Sequence, residues 1–322
     1  MKAIVYRRYG GPEVLRQENL PLPTPRPDEV RIQVKAASVN SWDWDRLTGR
    51  PYIVRFDGGF RQPMHKVLGC DVAGIIDAVG DKVTQWAVGD AVFGDFSGAH
   101  WGGFAEYVCG PAHLLAAVPS GMDFGTAAAI PQAGVLALQG MRQGGLREGQ
   151  RVLINGAGGG VGTFALQMAR AAGAEVTVVD HTRKLALLRE LGADHLIDYT
   201  QTDYTRTEQP YDLILDMVAR RSFSDYRRAL APGGAFVIVG GYMRTIFPTA
   251  LRGKLLALTD QRRMGLLLHH PNAADQEILA GQVHRGELEA VIGQRFPLAE
   301  VPAALDLIGK GEAWGKLVID IG

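Results

Sequence analysis

One segment constrains this chain more than any other. The apolar, strand-prone run Arg151-Val152-Leu153-Ile154-Asn155 feeds into Gly156-Ala157-Gly158-Gly159-Gly160-Val161-Gly162, and that cluster opens a helical stretch at residues 163–170. A second apolar run, residues 176–179, follows and ends on an acid, Asp180. Strand, glycine turn, helix and second strand make a βαβ unit. Glycines at the first strand-to-helix turn let backbone approach a pyrophosphate, which then rests on free N–H groups at the positive end of the helix. The pattern is A-x-G-x-x-G, with Ala157 where a glycine usually stands, then Gly159 and Gly162. Glycines alone also make tight structural turns. The complete unit of about 30 residues, closed by an acid, points instead to a nucleotide site. Gly160 and Val161 lie inside the turn and join the candidate contacts.

The 322 residues, 47% of them hydrophobic, suffice for two domains with ordinary cores. Lys and Arg number 34 against 34 Asp and Glu, so nothing attracts the chain as a whole to nucleic acid or an anionic membrane, and neither partner is expected. No apolar run reaches the ~18 residues of a membrane span. Residues 1–6 read as a strand rather than a signal peptide, so the expected location is cytoplasmic. Two cysteines, Cys70 and Cys109, form no C-x-x-C pair, which argues against a disulfide framework or a cysteine-rich zinc lobe.

Residues 1–120 read as short strands, among them 30–35, 72–76, 91–94 and 104–108, punctuated by Gly, Pro and Asp. That spacing suits a small barrel or sandwich. From about residue 124 helices and strands alternate: a long helix at 126–141, then strands at 195–197, 212–216, 235–239 and 265–268, with helices at 183–191 and 222–230. Such alternation implies a parallel sheet covered on both faces. The tail holds a helix at 301–308 and a strand at 316–321. The apolar edge Leu266-Leu267-Leu268 would invite pairing with another chain, so a homodimer is expected.

Several ordered motifs carry a family resemblance: Leu68-Gly69-Cys70-Asp71-Val72-Ala73-Gly74, Val88-Gly89-Asp90-Ala91-Val92, Ala127-Ala128-Ala129-Ile130-Pro131, the glycine turn, residues 191–199, Pro232-Gly233-Gly234 and Gly315-Lys316-Leu317-Val318. In these the chain resembles the zinc-free quinone oxidoreductase branch of the medium-chain dehydrogenase/reductase superfamily. The resemblance implies an α/β architecture with two domains: a GroES-like β-barrel catalytic domain from residues 1–124 and 269–322, and a Rossmann doubly wound domain from 125–268, with the active site in the cleft. It implies transfer of hydride from NADPH, with NADH as the alternative, to quinones, enals or enones. A zinc-type alcohol dehydrogenase and a cofactor-binding sensor or structural protein with little catalysis are the competing readings.

In the resemblance, catalytic zinc ligands fall on Asn40, Cys70 and Gln132, a poor Zn²⁺ set, so no metal is expected. Asn40 matches an asparagine near the nicotinamide and would orient the acceptor carbonyl, though a turn asparagine bonding its own backbone fits as well. Several relatives place a tyrosine where Asp45 stands here; Tyr52 lies nearby and either lines the pocket or packs as an aromatic. A family threonine that contacts the cofactor is Leu136 here. At the adenosine end, Asp180 suits a ribose hydroxyl, whereas Thr182, Arg183 and Lys184 suit a 2′-phosphate; a solvated helix start would also account for the two cations. Tyr199 matches a position near the adenine ribose. Gly240 and Lys316 complete the expected cofactor contacts.

Overall fold

The structure, a computed structural model, describes residues 1–259 and 261–322, without the side chains of Asp57 and of residues 254–259. It divides into two units, Met1–Val135 with His270–Gly322, and Leu136–His269. In chain order the first unit opens with β1 (Lys2–Val5), β2 (Arg16–Asn19), β3 (Glu29–Val39), α1 (Ser41–Thr48), α2 (Arg55–Gly58), β4 (Asp71–Val79), β5 (Ala91–Asp95), β6 (Tyr107–Pro111), β7 (Leu115–Ala117) and α3 (Phe124–Ala129). Helix α4 (Pro131–Gly144) leads into the second unit, which holds β8 (Arg151–Asn155), α5 (Gly160–Ala171), β9 (Glu175–Asp180), α6 (Thr182–Glu190), β10 (His195–Asp198), β11 (Tyr211–Asp216), α7 (Phe223–Ala229), β12 (Leu230–Ile238), α8 (Met243–Thr259) and β13 (Arg263–Leu266). The chain then returns to the first unit with α9 (Ala273–His284), β14 (Ile292–Pro297), α10 (Val301–Gly309) and β15 (Lys316–Asp320).

The second unit is a six-stranded sheet ordered β10-β9-β8-β11-β12-β13 and parallel throughout. The order reverses between β8 and β11, the switch point beside which ligands bind in doubly wound sheets. Its strands are buried on both faces, as their near-continuous apolar runs require. The first unit pairs β14-β15-β3-β4-β5-β7, with β6 also on β3. Every pairing there is antiparallel except β14 with β15. Its core gathers Ile32, Val72, Phe96, Phe104, Leu305 and Ile319.

Several expectations shift. The single helix at 126–141 is two, because Pro131 lacks an amide hydrogen to continue α3 and instead starts α4. The expected domain boundary after residue 124 moves to Val135. Helix α3 packs on β3, β4 and β15, and its buried Gly125, Ala127, Ala128 and Ala129 complete the first unit's core. The strand at 104–108 begins at Tyr107, since Phe104 and Ala105 pair with Ile4 and Ala3 instead. The edge strand at 265–268 is β13, Arg263–Leu266, with Leu268 beyond it and exposed.

Helix α1 carries an electrostatic signature. Asn40 caps it in a reciprocal box with Asp43, and Gly49 closes it at φ 61°, the left-handed region that favours glycine. Burial pushes the carboxyls of Asp43 and Asp45 up to about 7, for Asp43 against the opposing pull of the Asn40 and Gly69 amides. Both groups ionise near 4 in an unfolded chain. Between about pH 4 and pH 7 the folded protein therefore holds protons that the unfolded chain has released, and stability falls as pH rises through that window. Asp45→Asn keeps the shape and removes one ionisation. Its melting temperature should drop less than that of the wild type between about pH 5 and pH 8. Parallel pH profiles would contradict the assignment.

Candidate functional site

The glycine turn lies at the C-terminal end of β8, at the switch point. Gly162 is where helix meets strand: a Cβ there would lie 2.4 Å from Ala157 Cα and 2.5 Å from the carbonyl oxygens of Ala157 and Gly156. Gly159, the N-cap of α5, is different. A Cβ on it would come no nearer than 3.6 Å to Gly156 O, so the fold itself does not demand a glycine here. Gly160, Val161 and Gly162 form the first turn of α5, where amides have no helical carbonyl to bond and are oriented to hold an anion. Ala157 is buried and Gly160 and Val161 are half-buried.

At the end of β9 the expected ribose acid is turned inward. Asp180 accepts from the Gly158 amide at 2.8 Å and from the His181 amide at 2.8 Å, and Lys184 Nζ lies 3.8 Å from it. Lys184 is buried rather than solvated. Its stem packs on Gly158, and desolvation lowers its pKa against the raising effect of Asp180. Thr182 donates to Asp198, which also accepts from Thr200 and Gln201 and is held at about 2 by these hydrogen bonds. Arg183 is exposed at the start of α6. Tyr199 is exposed, edge-on to His181 at 6.1 Å between ring centroids. Six expected residues, Gly159, Asp180, Thr182, Arg183, Lys184 and Tyr199, thus lie at or just beyond the C-terminal ends of the adjoining strands β8, β9 and β10. Leu136 is buried in α4.

A residue not singled out in the sequence organises the neighbouring connections. Asp216, buried at the end of β11, accepts from the amides of Val218 and Ala219, from Asn155 Nδ2 and from the Tyr226 hydroxyl. This fixes the segment after β11 against which the glycines pack. A Cβ on Gly156 (φ +82°) would lie 2.9 Å from Val218, and one on Gly240 would lie 2.8 Å from Met217 O. An acid ending a buried strand was the available signal.

In the first unit the other expected residues converge differently. Lys316, at the start of β15, is buried: its Nζ donates to Asn40 Oδ1 at 2.5 Å and to Asp71 Oδ2 at 3.3 Å. The expected cofactor contact is therefore a core cation of this unit. Asn40 in turn donates to Asp71 at 2.9 Å, so both ends of its amide are engaged within the protein rather than free for an acceptor carbonyl. Asp71 also accepts from the Ser38 hydroxyl and the Gln132 amide. Burial raises its pKa, with Lys316 as the main opposing influence. Tyr52 takes no part in this cluster. It is exposed, with the Arg55 guanidinium 4.9 Å from its ring centre.

The three zinc-position residues do meet. Asn40 Nδ2 lies 3.4 Å and Gln132 Nε2 3.3 Å from Cys70 Sγ, both amides donating to the sulfur. Burial drives the Cys70 thiol well above its usual pKa, so it keeps its proton. Cys70, Asp71 and Asp95 also offer three ligand atoms within 4.8 Å of one another, but the Lys316 ammonium already neutralises Asp71. A protonated thiol with two amides does not suit Zn²⁺, which binds thiolate, imidazole or carboxylate.

Comparison with known proteins agrees along the chain. Residues 26–120 match the alcohol dehydrogenase GroES-like domain, and residues 191–319 match the zinc-binding dehydrogenase family. The chain is similar to the 2-methylene-furan-3-one reductase of Solanum lycopersicum, at 30% identity over 99% of this chain and 79% of the relative. It is 29% identical, with the same coverage, to the chloroplastic NADPH-dependent alkenal/one oxidoreductase of Arabidopsis thaliana. The solved quinone oxidoreductase of Coxiella burnetii aligns with a TM-score of 0.88 and 30% identity, covering 100% of this chain and 99% of that one. The chain therefore belongs to the medium-chain dehydrogenase/reductase superfamily, in its quinone-oxidoreductase-like branch, and is an oxidoreductase.

Proposed function

We propose that the protein reduces quinones or α,β-unsaturated carbonyls with a nicotinamide cofactor and no catalytic metal, preferring NADPH and working as a homodimer paired through the open β13 edge. The observation that carries this reading is the turn at Gly159. The fold leaves room for a side chain there, yet the residue is a glycine at the mouth of an anion-binding helix start. The turn's Ala157, Gly159, Gly160, Val161 and Gly162 would hold the pyrophosphate, and Gly240 would border it. Arg183 would grip a 2′-phosphate, with the Thr182 hydroxyl and Tyr199 beside it. Asp180 keeps to the glycine turn, its charge partly offset by Lys184, and so opposes that phosphate less than an outward acid would.

A dihydronicotinamide held there would supply a hydride, and electron-poor quinones and enones would accept it without a Lewis acid, taking the accompanying proton from solvent. This chain's own polar contribution in the first unit is the Lys316–Asp71 ion pair, which with Asn40 would occupy the place where relatives of the zinc type hold metal. Tyr52 would line the acceptor's entry. The names of the tomato and Arabidopsis relatives support enones as acceptors, and that of the Coxiella protein supports quinones.

Cofactor titration tests the binding half. Gly159→Val should weaken NADPH binding at least about tenfold with an unchanged melting temperature, whereas Gly162→Val should lose both binding and stability. Arg183→Ala should weaken NADPH by roughly ten- to a hundredfold and NADH little, the loss of one charge-assisted bond to phosphate. Wild-type affinity in Gly159→Val would remove the pyrophosphate assignment. Asp180→Ala should loosen the turn by leaving the Gly158 amide without its partner, rather than improve NADPH binding.

A screen of NADPH oxidation over quinones, enals and enones tests the chemistry. Turnover of at least one class should survive prolonged chelation. A stoichiometric zinc lost together with activity would overturn the metal-free reading.

A further inference from the structure

Among the described side chains of helix α8, Thr245, Thr249 and Gly253 are buried, and Ile246 packs half-buried against the core of the second unit. A Cβ on Gly253 would lie 1.9 Å from Met264 O in β13, so the helix sits close on the sheet there. The Thr245 hydroxyl donates to Arg221 O and that of Thr249 to Thr245 O, which satisfies them there. Three large apolar residues face solvent instead. Met243, Phe247 and Leu251 recur every fourth residue, a single helical face, and are 38%, 68% and 67% exposed. Tyr242 precedes the stripe, with the Arg220 and Arg244 guanidinium groups 5.3 and 5.4 Å from its ring centre. Arg252 is exposed beside Leu251.

The cations placed beside this face are Arg220, Arg244 and Arg252. In sequence, residues 226–259 contain no Asp or Glu, and Arg228 in that stretch pairs with Asp225 just before it. The zero net charge of the whole chain averages over this stretch. An exposed apolar stripe flanked by arginines matches the boundary of an anionic bilayer, where apolar side chains enter the acyl edge and guanidinium groups meet lipid phosphates. A second copy of the chain is a poorer fit. Two-fold self-pairing of the stripe would bring the Arg244 and Arg252 pairs together with no acid in the stretch to neutralise them.

We propose that the outer face of α8 docks the protein onto anionic lipid surfaces through Met243, Phe247, Leu251 and the flanking Arg220, Arg244 and Arg252. This goes beyond the reductase reading and does not depend on it.

Cosedimentation of the full chain with vesicles tests the proposal, using phosphatidylcholine alone and an equal mixture of phosphatidylcholine and phosphatidylglycerol. The wild type should pellet with the mixed vesicles, less so in high salt, and stay in solution with phosphatidylcholine. Arg244→Gln combined with Arg252→Gln should weaken binding roughly 25-fold, about fivefold per cation. Phe247→Gln combined with Leu251→Gln should weaken it at least about tenfold. Both variants should keep the wild-type melting temperature and light-scattering mass. No binding by the wild type, or binding that neither variant changes, would overturn the proposal. A changed oligomeric mass in the Phe247/Leu251 variant would also overturn it, by showing that a second copy covers the stripe.

Discussion

The buried pair of Lys316 and Asp71 is the interaction on which the first unit's site depends. It joins β15 from the end of the chain to β4 from its beginning, with β3 between them in the sheet. Withdrawing two charges from water costs several kcal/mol per ion, and the pair persists only where hydrogen bonds satisfy both partners. Here Asn40 and Val39 O accept from the ammonium, while Ser38, Asn40 and Gln132 donate to the carboxylate. The same set makes a poor Zn²⁺ site. A lysine cation stands in the acidic cluster, and the neighbouring cysteine, facing two amides, stays a thiol.

In the second unit a comparable economy governs the nucleotide end. Two buried acids, Asp180 and Asp216, spend their oxygens on backbone amides of the loops after β8, β9 and β11. These loops gather at the point where strand order reverses, the place where a parallel sheet leaves a crevice. The first-turn amides of α5 are left facing it. Fold and proposed site are thus linked through hydrogen bonds: the two acids satisfy the loops around the start of α5, to which the pyrophosphate is assigned in the proposed function.

Much of this was legible in the sequence. The β8–α5–β9 unit was read almost to its bounds, because continuous apolar runs, a helical period and clustered glycines each point to one local structure. Helices α8 and α9 were not read. In α9 polar Asp275 and Gln276 are buried beside Leu279 while Ile278 is exposed, and in α8 Thr245 and Thr249 are buried while Phe247 and Leu251 are exposed, so no clean apolar period marks either helix. Side-chain direction was also hidden. Nothing in the order of residues tells whether Asp180 faces a ribose or its own turn, and a lysine in Gly315-Lys316-Leu317 gives no sign that it will be buried against residues some 245 positions away. Such pairings are set by tertiary packing, not by local pattern.

The central claim, that a buried lysine cation organises the site where zinc-type relatives hold metal, is tested most directly by a double-mutant cycle in denaturant unfolding. Lys316→Met and Asp71→Asn should each lose about 3–5 kcal/mol, since each leaves an uncompensated buried group. The double variant should lose clearly less than the two combined, by at least about 1 kcal/mol. Additive losses, or single variants as stable as the wild type, would contradict the account.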